Sequence, residues 1–425
     1  MSASGAVASA TREGSDLAVV GAGVLGLCTA LQAQRQGYEV TLIDRDEPGL
    51  GASFGNAGYL ATELIDPLST GKTLRAAPRM WLDPNGPLSL PLRYLHRILP
   101  WLLRFIAAAQ PERAARARAA LSQLNRAAIP AWQRCLEDIG AREQMVQSGY
   151  LLVWESSDRL AEAQAHAAYL EQWGIRSELL RGSELAKLEP ELAPRLSHAL
   201  YFPNAWQVRD PYQLCLSLFE AFRQRGGHFV KQSVKRVVPT QQRVVIEAAS
   251  ESLGFDQAII CTGAWSRQLL SGVGLDVPLE AERGYHLTIA TQTARINRPV
   301  GSAERRFVLS PLASGLRAVG MTELGGLRLK PFKRRFAALR HHTLALLPTL
   351  SGETEKFDEW MGHRPTLPDS LPVIDRHPQC PRLLFAFGNQ HLGLTQAAIS
   401  AELVIALLAG RQPAIDPAPF RVTRF

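Results

Sequence analysis

The chain has 425 residues, 46% of them hydrophobic and 20% charged, which describes an ordinary globular protein long enough for two domains with ample core. Its net charge of +8 and pI near 9.4 are basic, yet no Lys/Arg block of nucleic-acid type is present; the densest cluster, Lys330, Lys333, Arg334 and Arg335, reads as a solvated face. Five cysteines (Cys28, Cys135, Cys215, Cys261, Cys380) stand singly without a CxxC pair, which excludes a standard zinc or disulfide framework and suits a reducing, cytoplasmic location.

Residues 1–15 are small and polar, lack an apolar core of signal-peptide length, and read as a disordered tail. No run is expected to reach the roughly 20 apolar residues of a membrane span. Leu17-Ala18-Val19-Val20 is a short strand-type run, and Gly21-Ala22-Gly23-Val24-Leu25-Gly26 follows it at once. Val24, Leu25, Leu27, Cys28 and Leu31 then fall at helical spacing, Gly37-Tyr38 ends the helix, and Glu39 to Asp44 reads as a second strand. A strand, glycine turn, helix, strand and acid within about 30 residues is the context that turns a weak glycine motif into a strong one. Gly21 permits the tight turn, Gly23 lets a pyrophosphate approach the backbone, and Gly26 lets helix and strand pack closely. The helix N-terminus offers unpaired N–H groups to phosphates, and Asp44 can hold the ribose hydroxyls of an adenosine.

Pro48 to Tyr59 is rich in Gly, Ser and Asn and cannot form a stable helix; it can lie flat against a ligand. From Pro87 to Ile106, Leu, Ile, Trp and Phe alternate with Arg93, Arg97 and Arg104, with Pro91 and Pro100 expected to break the run. This stretch is either a helical cap packed on its own protein or a basic amphipathic region lying on an anionic membrane surface. Glu112 to Gln123 is helical, Gly149 to Trp154 reads as a strand, and Asp158 to Trp173 as a helix. Asp210-Pro211 opens a helix, with Asp210 as N-cap. Strands follow at His228–Lys231, Val234–Val238, Arg243–Ala248 and Gln257–Cys261. The last of these enters Thr262-Gly263-Ala264-Trp265, a small-residue turn at the edge where parallel sheets bind ligands. Arg283-Gly284-Tyr285-His286 sits in a strand, Lys333 to Leu347 is a helix, and Leu383 to Phe387 is another buried strand. Gly388 to Gln396 then leads into a helix through Leu408, ended by Gly410.

These places together resemble the D-amino-acid oxidase/dehydrogenase superfamily of flavoproteins, over nearly the whole chain from Leu17 to about Arg411. The resemblance implies an α/β protein of the glutathione-reductase type: a Rossmann-like FAD-binding domain from 16–80, 207–272 and 361–425, and an α+β substrate domain with a mainly antiparallel sheet from 81–206 and 273–360. It assigns Gly21, Ala22, Gly23, Val24, Leu25, Gly26, Asp44 and Arg45 to the ADP half of FAD. Ala52, Ser53, Asn56, Ala57 and Gly58 look like its loop beside the pyrophosphate and flavin. Val237, Thr262 and Gly263 resemble further FAD contacts, and Gly388, Leu392, Gly393, Leu394 and Thr395 its C-terminal signature. The likeness is greatest to bacterial D-amino-acid dehydrogenases and relatives acting on D-proline-type imino acids.

In that family the arginine matching Arg364 grips the substrate carboxylate, a task suited to its planar fork. Tyr285 matches a pocket-lining tyrosine, and Tyr59 and His391 match positions close to the flavin. The sarcosine-oxidase branch attaches its flavin through a cysteine before a Pro-Asp turn; Arg364, Pro365 and Thr366 stand there, so non-covalent FAD is expected. Gly272-Val273-Gly274 lacks the flanking strand and helix of a second dinucleotide site, which leaves oxygen, a quinone or an electron-transfer partner as acceptor. The expected reaction is oxidation of a D-amino acid or cyclic D-imino acid such as D-proline or 4-hydroxy-D-proline. The alternatives are a glycine/sarcosine-type oxidase producing peroxide, and a flavin-bearing subunit docked on a membrane through 87–106. No metal and no nucleic acid are expected.

Overall fold

A computed structural model describes residues 15–290, 296–351 and 357–425. The expected N-terminal tail lies outside the described residues except for Ser15. A six-stranded sheet forms one half of the molecule, in the order His228–Lys231, Glu39–Asp44, Asp16–Val20, Gln257–Ile260, Cys380–Phe387, Val373–His377. Its first five strands are parallel and the last is antiparallel. The continuous apolar run at its centre follows from burial on both faces. Leu17 and Val19 pack with the helices Val24–Gln34 and Gly393–Leu408, while Ala18 and Val20 pack with a three-stranded meander, Val234–Pro239, Val244–Ala248 and Ser252–Phe255.

A nine-stranded, mainly antiparallel sheet forms the other half, built from two separated stretches of chain. From one edge inward its strands run Phe357–Thr366, Glu280–Ile289, Gly315–Leu324 and Phe307–Leu312. The helix Lys333–Leu346 covers one face through Phe336, Leu339 and Leu346. Because Phe357–Thr366 pairs along its whole length with Glu280–Ile289, the expected domain boundary at 361 cuts through a strand of this sheet.

Asp210 caps the helix Pro211–Gln224, its Oδ1 accepting from the backbone N–H groups of Tyr212 (2.9 Å) and Gln213 (3.1 Å). Two expectations require correction. Pro100 does not break the chain: it lies inside the helix Leu95–Ala108, where packing of Ile98 and Trp101 against the body compensates for the backbone bond it cannot donate. Gln390–Leu408 does reach the length and apolarity of a membrane span, contrary to the sequence reading, but 72% of its apolar window is buried inside the protein, as in a core helix.

Candidate active site

The first strand ends at Val20 and the chain turns under it at Gly21, whose φ of 110° is open to glycine and strained for other residues. A Cβ on Gly26 would stand 1.8 Å from the Gly21 carbonyl oxygen, so glycine at 26 is what allows the helix to begin against the strand. Gly23 meets only the Ser53 hydroxyl, at 3.4 Å from an added Cβ, and faces open space. The Val24 N–H donates to Ser53 Oγ at 3.0 Å, tying the loop after the second strand to the helix N-terminus. Asp44 accepts from the Ala22 N–H (2.6 Å) and the Asp46 N–H (3.0 Å), which fixes its carboxylate at the end of the second strand. The Arg45 guanidinium lies 3.9 Å over the Trp265 ring, closing that end of the site by a cation–π contact.

From this cradle a cavity of about 1120 Å³ runs past Ser53 and Asn56 to Arg364 and His391, on the carboxyl edge of the parallel sheet. It exceeds the upper end of ordinary small-molecule pockets, as an extended dinucleotide beside a small substrate requires. The loop at its side is held by the antiparallel sheet. Arg317, buried, donates to the carbonyl oxygens of Phe54 (2.8 Å) and Asn56 (3.0 Å), and His286 Nδ1 lies 3.2 Å from the Gly55 carbonyl oxygen. Gly55 has no room for a side chain because the Trp360 ring occupies the position of a Cβ.

Glu282 and Arg364 are register partners on neighbouring strands, and Arg364 Nη1 donates to Glu282 Oε1 at 2.8 Å and to the Met321 carbonyl at 3.2 Å. Glu282 also accepts from the Thr322 and Thr366 hydroxyls, both at 3.0 Å. Gly284 supplies the space beneath the guanidinium: a Cβ there would lie 2.4 Å from Arg364 Cζ. Among the described residues nothing hydrogen-bonds Arg364 Nε or Nη2, and the side chain lines the cavity. This leaves half of a planar fork without a protein partner at a residue of the cavity wall.

His391 lines the cavity close to this pair. Burial drives its imidazole down to about 4, Glu282 opposing and Arg364 reinforcing the shift, so it is neutral near pH 7. His363 is likewise pushed down to about 4, by burial and then by Arg283 and Arg45.

The remaining expected residues divide. Ala52, Ala57, Thr262, Gly263, Gly388, Gly393 and Leu394 line the cavity together with Leu25 and Val24. Gly263 (φ 53°) and Gly388 (φ 91°) take backbone conformations that favour glycine. Tyr59 reaches the cavity, but its hydroxyl is committed to Glu63 Oε2 at 2.5 Å and its ring stacks on Tyr150. Thr395 turns its hydroxyl to the Ala61 N–H at 3.0 Å, Leu392 is buried in the helical core, and Gly58 packs against Leu312 and the Val208 carbonyl.

Val237 is not where the resemblance implied, and Tyr285 borders the cavity as expected but commits its hydroxyl elsewhere. Strand alternation puts the side chains of Glu282 and His286 on one face, with Gly284 between them, and those of Arg283 and Tyr285 on the other. The Tyr285 ring is packed edge-on against Phe336, its hydroxyl donating to Glu323 Oε2 at 3.0 Å, and burial raises it to about 12. Val237 is buried in the core between the meander and the parallel sheet; Val234 and Lys235, earlier in that strand, are the residues at the cavity.

Two cavity residues were missed by sequence reasoning. Glu282 orients Arg364, and only strand register reveals it. Gln390 sits at φ 51°, is 6% exposed, and neither atom of its side-chain amide finds a partner among the described residues. Its amide therefore has a free donor and a free acceptor at the cavity wall.

The cradle of Gly21 and Gly23, the fixed Asp44 carboxylate and the extended cavity fit FAD in an elongated pose, with the Gly388–Leu394 helix entry at the far end. Comparison with known proteins agrees. The family described as DAO, FAD dependent oxidoreductase, matches residues 16–407. A D-amino-acid oxidase of Bradyrhizobium diazoefficiens is 31% identical over 97% of this chain and 99% of its own, and a D-amino acid dehydrogenase of Ralstonia nicotianae is 30% identical over 96% and 100%. In fold, the chain resembles glycine oxidase from Geobacillus kaustophilus (TM-score 0.74, 20% identity, 97% of this chain and all of the other) and L-proline dehydrogenase from P. horikoshii (TM-score 0.74, 17% identity, 98% of each). With residues 16–407 matched and the site formed from the same segments, this chain belongs to the DAO family of FAD-dependent oxidoreductases.

Proposed function

We propose that this enzyme oxidises D-amino acids or cyclic D-imino acids, D-proline and 4-hydroxy-D-proline being the type substrates, and that it works as a dehydrogenase. The observation that carries this reading is the half-open guanidinium of Arg364, backed by Glu282 and aimed into a cavity that also accepts FAD. When bound, FAD supplies the hydride acceptor for the substrate Cα. The chain's own residues then have three tasks. Arg364 grips the carboxylate and so orients the Cα, Glu282 holds the guanidinium in place, and the neutral His391 puts no second cation beside it. Binding of the carboxylate in a fixed fork converts a diffusing reactant into a positioned one, the part of the barrier a protein can lower without performing the redox chemistry itself.

The names of the relatives, D-amino-acid oxidase and D-amino acid dehydrogenase, support the choice of hand and of reaction class. Anaerobic mixing of the FAD-loaded protein with single amino and imino acids of both hands tests the proposal. D-enantiomers are expected to bleach the flavin visible band and L-enantiomers to leave it intact. Aerobic turnover with stoichiometric peroxide would instead identify an oxidase.

A further inference from the structure

Seven of the twelve large apolar side chains exposed among the described residues lie between Trp81 and Ile106: Trp81, Leu82, Leu92, Leu95, Leu99, Leu103 and Ile106. On the helix Leu95–Ala108 they are not scattered. Leu95, Leu99 and Leu103 recur at four-residue steps and form one outward stripe that Ile106 continues to the cavity rim, while Ile98 and Trp101 form the stripe that anchors the helix to the body. An apolar patch of this size on the outside of a globular chain has a partner.

Charge indicates which one. Between Pro67 and Pro111 there are six basic residues, Lys72, Arg75, Arg79, Arg93, Arg97 and Arg104, against one acid, Asp83. All six basic side chains are exposed. Leucines flanked by arginines and lysines on surface helices suit an interface that is apolar below and anionic above, which is the make-up of a lipid bilayer with acidic headgroups. The position of the patch adds to this. The inner sides of the same two helices, through Leu74, Ala77, Trp101, Leu102 and Phe105, wall the cavity of the site. The helix Gly71–Leu82 has no buried residue, so it is a flap over the cavity and not a core element.

We infer that the helices Gly71–Leu82 and Leu95–Ala108 dock this enzyme on an anionic membrane surface, with the mouth of its cavity turned to the lipid. The Leu95–Leu103 stripe enters the headgroup–acyl boundary and the arginines stay at headgroup level. On the dehydrogenase reading above, an apolar electron acceptor dissolved in the bilayer then reaches the site without crossing water. The docking itself stands independently of that reading.

Co-sedimentation of the FAD-loaded full chain with vesicles tests it. Vesicles of phosphatidylcholine with phosphatidylglycerol are expected to pellet the protein, and vesicles of phosphatidylcholine alone to bind it about tenfold less. The double substitution Leu99→Glu/Leu103→Glu, at residues that do not line the cavity, is expected to weaken vesicle binding about tenfold or more while flavin content and turnover with a soluble acceptor dye stay unchanged. Arg97→Glu/Arg104→Glu, which leaves the apolar stripe in place, is expected to remove the preference for anionic lipid. Absence of pelleting with anionic vesicles overturns the inference. So does a wild-type dimer that Leu99→Glu/Leu103→Glu converts to monomer, because the stripe would then be covered by a second copy.

Discussion

Glu282 and Arg364, 82 residues apart in sequence, face each other as direct partners on adjacent antiparallel strands, joined at 2.8 Å. The carboxylate is itself pinned by Thr322 and Thr366, so the guanidinium rests on a rigid support and presents its free edge to the cavity. Glu282→Gln keeps the shape and an oxygen to accept from Arg364 and Thr322, but removes the charge and turns the Thr366 bond around, the amide N–H donating to that hydroxyl. One charge-assisted bond is worth about 1.5–3 kcal/mol, so KM for the amino acid should rise about ten- to a hundredfold with flavin content intact. Steady-state kinetics beside a flavin absorbance spectrum provide the check.

The glycines at 23 and 26 should behave differently. Gly26→Ala drives a methyl into the Gly21 carbonyl oxygen and is expected to abolish the soluble folded protein. Gly23→Ala is spared that clash, its added Cβ meeting only Ser53 Oγ at 3.4 Å in a backbone conformation any residue adopts. It should fold with unchanged thermal stability as apoprotein and bind FAD about tenfold or more weakly, because the methyl stands where the pyrophosphate must approach. Calorimetry of the apoprotein and fluorescence titration with FAD separate the two effects.

Why was the cradle legible and the substrate end less so? The turn, helix and acid of the first 30 described residues are local: strand, Gly21, Gly26 and Asp44 all act within one βαβ unit, and short-range spacing encodes them. Arg364 and the Gly388 turn could be reached because each sits in a distinctive local motif. Glu282 could not, since its role exists only once Glu280–Ile289 pairs with Phe357–Thr366. Tyr285 shows the converse hazard. Its motif is intact and the residue borders the cavity, but the alternation of a strand gives its ring to Phe336 of the helix Lys333–Leu346 and its hydroxyl to Glu323. Likewise the stripe on Leu95–Ala108 kept two meanings in sequence, because apolar periodicity does not tell an inward face from an outward one.

Gln390 holds a left-handed backbone conformation that costs a non-glycine residue about 1 kcal/mol. In Gln390→Gly, relief of that strain offsets the extra backbone entropy lost by glycine, so apoprotein stability should stay within about 1 kcal/mol of wild type. The amide is lost from the cavity wall, however, and substrate KM should shift severalfold. A change in denaturation midpoint with unaltered KM would assign Gln390 to the fold instead.

The buried pair Tyr59–Glu63 predicts a pH dependence with a definite sign. Burial pushes the Glu63 carboxyl from its ordinary 4.5 up to about 7, the Tyr59 hydroxyl opposing in part. Between those values the folded state holds a proton that the unfolded chain has released. The resulting stability is complete below about pH 4.5 and is lost as pH rises through 7, about 3 kcal/mol in all. His391 and His363 run the other way, their contribution being present above their ordinary 6.5 and lost as pH falls toward about 4. Glu63→Gln should therefore flatten the alkaline side of the stability profile and leave the acidic side as it is. Urea unfolding of wild type and variant across that range measures the difference.

The measurement that bears most directly on the whole account is an anaerobic reductive titration of wild type and Arg364→Met with the best D-amino or D-imino acid. Loss of two charge-assisted bonds to the carboxylate, about 3 kcal/mol or more, predicts that the variant keeps its full flavin content yet needs at least about a hundredfold more substrate to bleach it. A variant that bleaches at the wild-type concentration, or a wild-type flavin that no amino acid of either hand reduces, would contradict it.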